Sequence, residues 1–70
     1  MFDAKGASGR IKDLEIQRDR LIEELKRLDE RLKRGDIDEE TYKQERHRIE
    51  RSIVEVMDRL AQMKFLSGEI

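Results

Sequence analysis

Apolar residues fall at Ile11, Leu14, Leu21, Leu25, Leu28 and Leu32. With Arg18 filling the one gap, the steps are 3, 4, 3, 4, 3, 4. This is a heptad seam, with Ile11, Arg18, Leu25 and Leu32 at a and Leu14, Leu21 and Leu28 at d. Ile22 sits one position past the seam and widens the stripe. The second half repeats the pattern: Tyr42, Arg46, Ile49, Ile53, Val56, Leu60 and Met63 are spaced 4, 3, 4, 3, 4, 3. Val54, Met57 and Ala61 lie beside that line. The spacing predicts two helices, 11–34 and 39–66, joined by a turn at 35–38. Residues 1–10, MFDAKGASGR, carry two glycines and no periodicity, and are expected to form a flexible lead-in. Residues 67–70 are expected to form a tail, which would be a frayed end, a docking segment or the point where a longer chain was cut.

The segment RLKRGDIDEETY, Arg31 to Tyr42, supplies the chemistry of a corner. Gly35 is suited to the position after a helix end, where a left-handed backbone costs it nothing. Lys33 and Arg34 lie at the negative end of the first dipole, and Glu39 and Glu40 at the positive end of the second. Asp38 is the expected N-cap of helix 2, and Ile37 and Tyr42 stand at the two places of a hydrophobic staple. Asp36 with Glu39 is a competing capping box; the Ile37–Tyr42 pair favours Asp38. So short a connection implies an antiparallel hairpin. Folding there matches the seams at residue numbers summing to 74: Leu32 with Tyr42, Leu25 with Ile49, Leu21 with Ile53, Leu14 with Leu60.

Two helices give a single layer of contact and leave much of the wide apolar stripe on helix 2 uncovered. Ile22, Val54, Met57, Ala61 and Phe65 form the expected oligomer interface. The fold expected is therefore all-α: a coiled-coil-like, two-helix hairpin that dimerises into a four-helix bundle, with a tetramer as the second assembly. Arg18 and Arg46 occupy seam positions where leucine would pack better. Their stems would cover apolar surface while their heads reach carboxylates, Glu15 beside Arg18 and Glu45 or Glu50 beside Arg46. Polar seam residues of this kind set register and partner number.

Composition narrows the function classes. Charged residues make up 47% of the 70 residues, yet the net charge is only −1. A general nucleic-acid or anionic-membrane binder would show a basic excess. Cysteine is absent, which excludes disulfides and thiolate metal sites and fits a reducing compartment. No apolar run approaches the ~20 residues that span a bilayer, and the default expectation is a soluble, cytoplasmic protein. Proline, asparagine and tryptophan are missing too. This bias resembles that of proteins from hot environments, and a plain long helix produces the same bias.

Candidate reactive groups are sparse. His47 is the only histidine; a general base needs an oriented partner and a pocket. Di-iron bundles need Glu-x-x-His repeats, and Gln44 stands three residues before His47. The acids around the turn lack the oxygen spacing of a calcium loop. No phosphate loop or nucleophile elbow occurs. The expectation is no catalytic residue, no metal and no cofactor. Basic residues crowd 26–34 and 46–51, so a small nucleic-acid-associated helical protein is the alternative reading.

Leu25 and Leu28 followed by GDIDEETY resemble the short helical-pair motif called SHOCT. There, a leucine-bearing helix ends in glycine, followed by one residue, an isoleucine, a capping residue, acids and an aromatic. Gly35, Ile37, Asp38, Glu40 and Tyr42 take those places; Thr41 departs from the usual glutamate. The resemblance covers Leu25 to Ile49 and implies oligomerisation or interaction without catalysis. It agrees with the expectation from the residues: a self-associating interaction module, with further protein partners at the outer faces or the tail.

Overall fold

A computed structural model describes residues 4–66 and 68, with side chains described from residue 9 onward. Two helices make up the fold: α1, Ala4–Lys33, and α2, Glu39–Leu66. They pack antiparallel along their length as a rod of 53 × 18 × 15 Å.

Helix α1 begins seven residues before Ile11, so residues 4–10 of the expected flexible lead-in are helical. Apolar periodicity marks a buried face, and a helix can outrun its buried face. Adding a residue to a formed helix needs no new nucleus. Ala4, Lys5 and Ala7 are good formers, and Gly6 and Gly9 cost only about 1 kcal/mol each relative to alanine. At its other end α1 stops at Lys33, one residue short of the expected 34. Of the expected tail, only Gly68 lies within the described residues. Its φ of 78° and the Gly68 N–H bond to the Phe65 carbonyl (3.2 Å) close the end of α2.

The corner satisfies its backbone locally. Gly35 has φ 78°. Its N–H donates to the Leu32 carbonyl (3.0 Å), and the Asp36 N–H donates to the Arg31 carbonyl (2.9 Å). These two bonds are a Schellman closure, which uses carbonyls that a helix end otherwise leaves empty. Asp38 starts α2: its carboxylate accepts the Thr41 N–H (2.9 Å), and its carbonyl accepts the Tyr42 N–H (3.0 Å). Asp36 instead pairs with Arg34 at 3.2 Å. The Thr41 contacts hold the Asp38 carboxyl below its ordinary 3.8. A lowered carboxyl pKa stabilises the fold above that ordinary value and is lost as pH falls through the lower folded one. The cap thus works at full strength at neutral pH.

The core is the seam between the helices. Ile11 and Leu28 of α1 and Ile49, Val56 and Leu60 of α2 are buried. Leu14, Leu21, Leu25, Leu32, Tyr42, Ile53 and Met63 are half-buried. All occupy the three-four line of their helix. Ile49 is the most enclosed, at 2% exposure.

Candidate interaction surface

The features that stand outside the seam divide the rod into two halves. Near the corner, polar groups cross between the helices on both flanks. On one flank the Tyr42 hydroxyl donates to the Asp29 carboxylate and accepts from the Arg46 guanidinium (2.8 Å). Arg46 also lies over the Tyr42 ring, 5.8 Å from its centroid, and pairs with Glu50 at 3.4 Å. On the other flank Arg48 binds Glu45 at 3.0 Å and reaches Glu24 of α1 at 3.4 Å.

Charge explains the shifts in this network. Donation to Asp29, aided by burial, pushes the Tyr42 hydroxyl above its ordinary 10.0. A raised pKa means its contribution is present below that value and fades as pH rises through the raised one. The Tyr42 bond and then Glu50 hold Arg46 more firmly protonated, and Glu45 and then Glu24 do the same for Arg48. The Tyr42 hydroxyl ties the two helices together.

These cross-links also report the register. Glu24 and Arg48 sum to 72, Asp29 and Tyr42 to 71. Both lie within one turn of the sum of 74 that aligns the apolar seams. Arg46 stands on the seam line but turns its head outward, onto Tyr42 and Glu50. Arg18 is half-buried and binds Asp19 at 3.1 Å, where Glu15 is the partner its spacing suggests. The i to i+1 pair leaves the stem along the seam while the head stays at the rim.

Toward the open end of the rod, apolar side chains replace these links. Val54 is 67% exposed, Met57 50%, Phe65 71% and Leu66 76%. Ala61 and Ile22 are exposed as well. On α2, Val54, Met57, Ala61 and Phe65 follow one another at helical spacing on the side away from the buried seam. Two exposed apolar residues fall outside the set that the seam pattern picks out, Ile16 on the outer side of α1 and Leu66 at the end of α2. Neither continues the three-four line, so periodicity carries no signal for them.

Surface depressions follow the same row. One of about 520 Å³ is lined by Asp58, Ala61, Gln62, Phe65 and Leu66, another of about 470 Å³ by His47, Glu50, Arg51, Val54 and Glu55. Each belongs to one helix face. A third, about 350 Å³, lies between the helices at the open end, against Leu14, Gln17, Arg59 and Met63. His47 is exposed, and among the described residues no group of three or more His, Cys, Asp or Glu is placed to hold a metal ion. No described helix is long and apolar enough to cross a membrane. Within the basic stretches, Arg34, Arg46 and Arg48 are each engaged by an acid.

No family model matches the chain, and no curated protein or solved structure is significantly similar to it.

Proposed function

We propose that this chain is a non-enzymatic self-association module, a helical hairpin that pairs with a second copy to form a four-helix bundle and so presents charged outer faces to other proteins. The observation that carries this reading is the exposed apolar row Val54, Met57, Ala61 and Phe65 on α2.

Two magnitudes support it. A compact monomer of 8.4 kDa should expose roughly 4,600 Å², whereas this hairpin exposes 5823 Å². The surplus is of the order that one partner contributes to a stable interface, about 800 Å². The radius of gyration is 15.8 Å, against roughly 11 Å for a compact chain of this length. Laying two rods side by side buries surface without lengthening the particle. The likeness of Leu25 to Ile49 to the SHOCT pattern leans the same way, although it names no partner.

Sedimentation equilibrium between about 1 and 200 µM tests the reading. A dimer mass at the upper concentrations is the expected result. A well-folded species that stays monomeric over the whole range would refute self-association.

In this reading Arg18 weakens the hairpin seam and so limits which packings of it are stable, and Arg46 serves the hairpin's polar network. Among the described residues Arg18 has Asp19 as its one ion-pair partner, so Arg18→Leu exchanges a rim charge for seam packing. It should raise the melting temperature by several degrees, with a broader distribution of assembled masses. Arg46→Leu loses the Tyr42 and Glu50 contacts, and its melting temperature should rise less or fall. Equal gains for both variants, with unchanged mass, would remove the distinction between the two arginines.

A further inference from the structure

The outer face of α2 carries more than apolar residues. Along its axis Val54, Met57 and Ala61 make a short stripe. On the flank facing α1 lie Arg46, Ile53 and Leu60, which belong to the hairpin seam and its polar network. On the flank facing away, at seven-residue intervals, lie Arg51, Asp58 and Phe65. Among the described residues Arg51 and Asp58 make neither an ion pair nor a side-chain hydrogen bond, although Arg46 and Arg48 close by are both engaged. Glu50, the acid nearest the stripe, is already neutralised by Arg46.

We propose that α2 packs antiparallel against α2 of a second copy, about a two-fold axis beside residue 55, with Arg51 of each chain bound to the partner's Asp58. The proposal rests on the self-association reading above and specifies its geometry. Antiparallel helices in contact bring like flanks together, and a two-fold axis makes every contact occur twice. In this register Val54 of one chain meets the partner's Met57, and two Arg51–Asp58 pairs close the outer edge.

Charge selects this register over its neighbours. A slide of one heptad keeps the apolar stripe in contact but changes the facing charges. In one direction Arg51 meets the partner's Arg51; in the other Asp58 meets the partner's Asp58. Both place like charges in close proximity, which is costly at an interface. A parallel pairing sets each outer flank against the hairpin-side flank of its partner, so that Arg51 meets the partner's Arg46 and Asp58 meets the partner's Ile53, and neither finds a counter-ion. Only the antiparallel register centred beside residue 55 satisfies both charges. The apolar stripe supplies attraction without choosing an alignment, and the ion pair supplies the choice.

Charge reversal tests the geometry in the full chain, with helicity checked by circular dichroism. Arg51→Asp alone and Asp58→Arg alone should each weaken the dimer at least about tenfold by sedimentation, because each replaces two attractive pairs with two repulsive ones. The combined R51D/D58R chain should recover the wild-type dissociation constant to within about threefold. A nitroxide on Gln44→Cys should report a label separation of roughly 35 Å, from eleven residues either side of the axis at about 1.5 Å each. A parallel pair would hold those labels within about 20 Å. Wild type that stays monomeric overturns self-association and this geometry together. Wild type that dimerises, with single reversals that bind as tightly or a double reversal that fails to recover, overturns the geometry alone.

Discussion

Ile49→Ala should cost about 2–5 kcal/mol, the usual range for removing most of a buried aliphatic side chain. Ile49 is 2% exposed and lies in the middle of the interhelical seam. A domain of this size holds roughly 4–10 kcal/mol in total, so the substitution removes a large share of it. Few other side chains are buried, and the loss has little to share itself with: Ile11, Leu28, Val56 and Leu60 complete the buried set among the described residues. On thermal melting at fixed protein concentration, the midpoint should fall by about 10 °C or more, since 1 kcal/mol corresponds to some 4–8 °C in small domains. Concentration has to be held fixed because association would stabilise the fold by mass action. Ile16→Ala, at 42% exposure and outside both the seam and the α2 row, is the matched control for hairpin stability. If Ile49→Ala melts within a few degrees of wild type, the α1–α2 seam is not what holds the fold.

The same seam explains how much was legible in the sequence. A two-helix hairpin follows from apolar steps of three and four on both sides of the only glycine between Gly9 and Gly68. That pattern reports buried faces, so it is silent wherever a helix buries nothing. Residues 4–10 are the example: α1 continues through them without an apolar stripe. The pattern is equally silent on where long polar side chains end. Arg46 stands out in the sequence as a charge on an apolar line. Its partners do not, because Tyr42, Asp29 and Glu50 combine one turn of the same helix with a crossing to the other. Tyr42 aligns with Leu32 by seam spacing, yet its hydroxyl reaches Asp29, since a long side chain spans a turn. Arg18 likewise takes Asp19 rather than Glu15, a choice of rotamer that spacing does not encode. The exposed row on α2 was legible as residues left over by the seam. What covers it depends on charges at its edge, and those acquire meaning only once the neighbouring arginines are seen to be occupied.

Val54→Glu/Met57→Glu should convert the assembled protein to a monomer, with an increase of about 100-fold or more in dissociation constant. The two side chains are 67% and 50% exposed in the single hairpin, so the fold itself has little reason to object to glutamate at either place. In the proposed bundle Val54 of one chain meets the partner's Met57, and the two-fold axis repeats that contact. Four carboxylates would then enter one apolar contact, and burying an unpaired charge costs far more than the apolar contact returns. The stability consequence separates assembly from folding. Wild type should melt higher as its concentration rises, because the dimer binds only the folded chain. The double variant should melt at one temperature across the same range, near the lower limit of the wild type. Ile16→Glu supplies the control: Ile16 is also an exposed apolar residue, at 42%, but it lies on the outer side of α1 and should leave the sedimenting mass unchanged. A double variant that sediments like wild type would show that the α2 row is not the contact surface. Loss of assembly in Ile16→Glu alone would instead move the interface to α1.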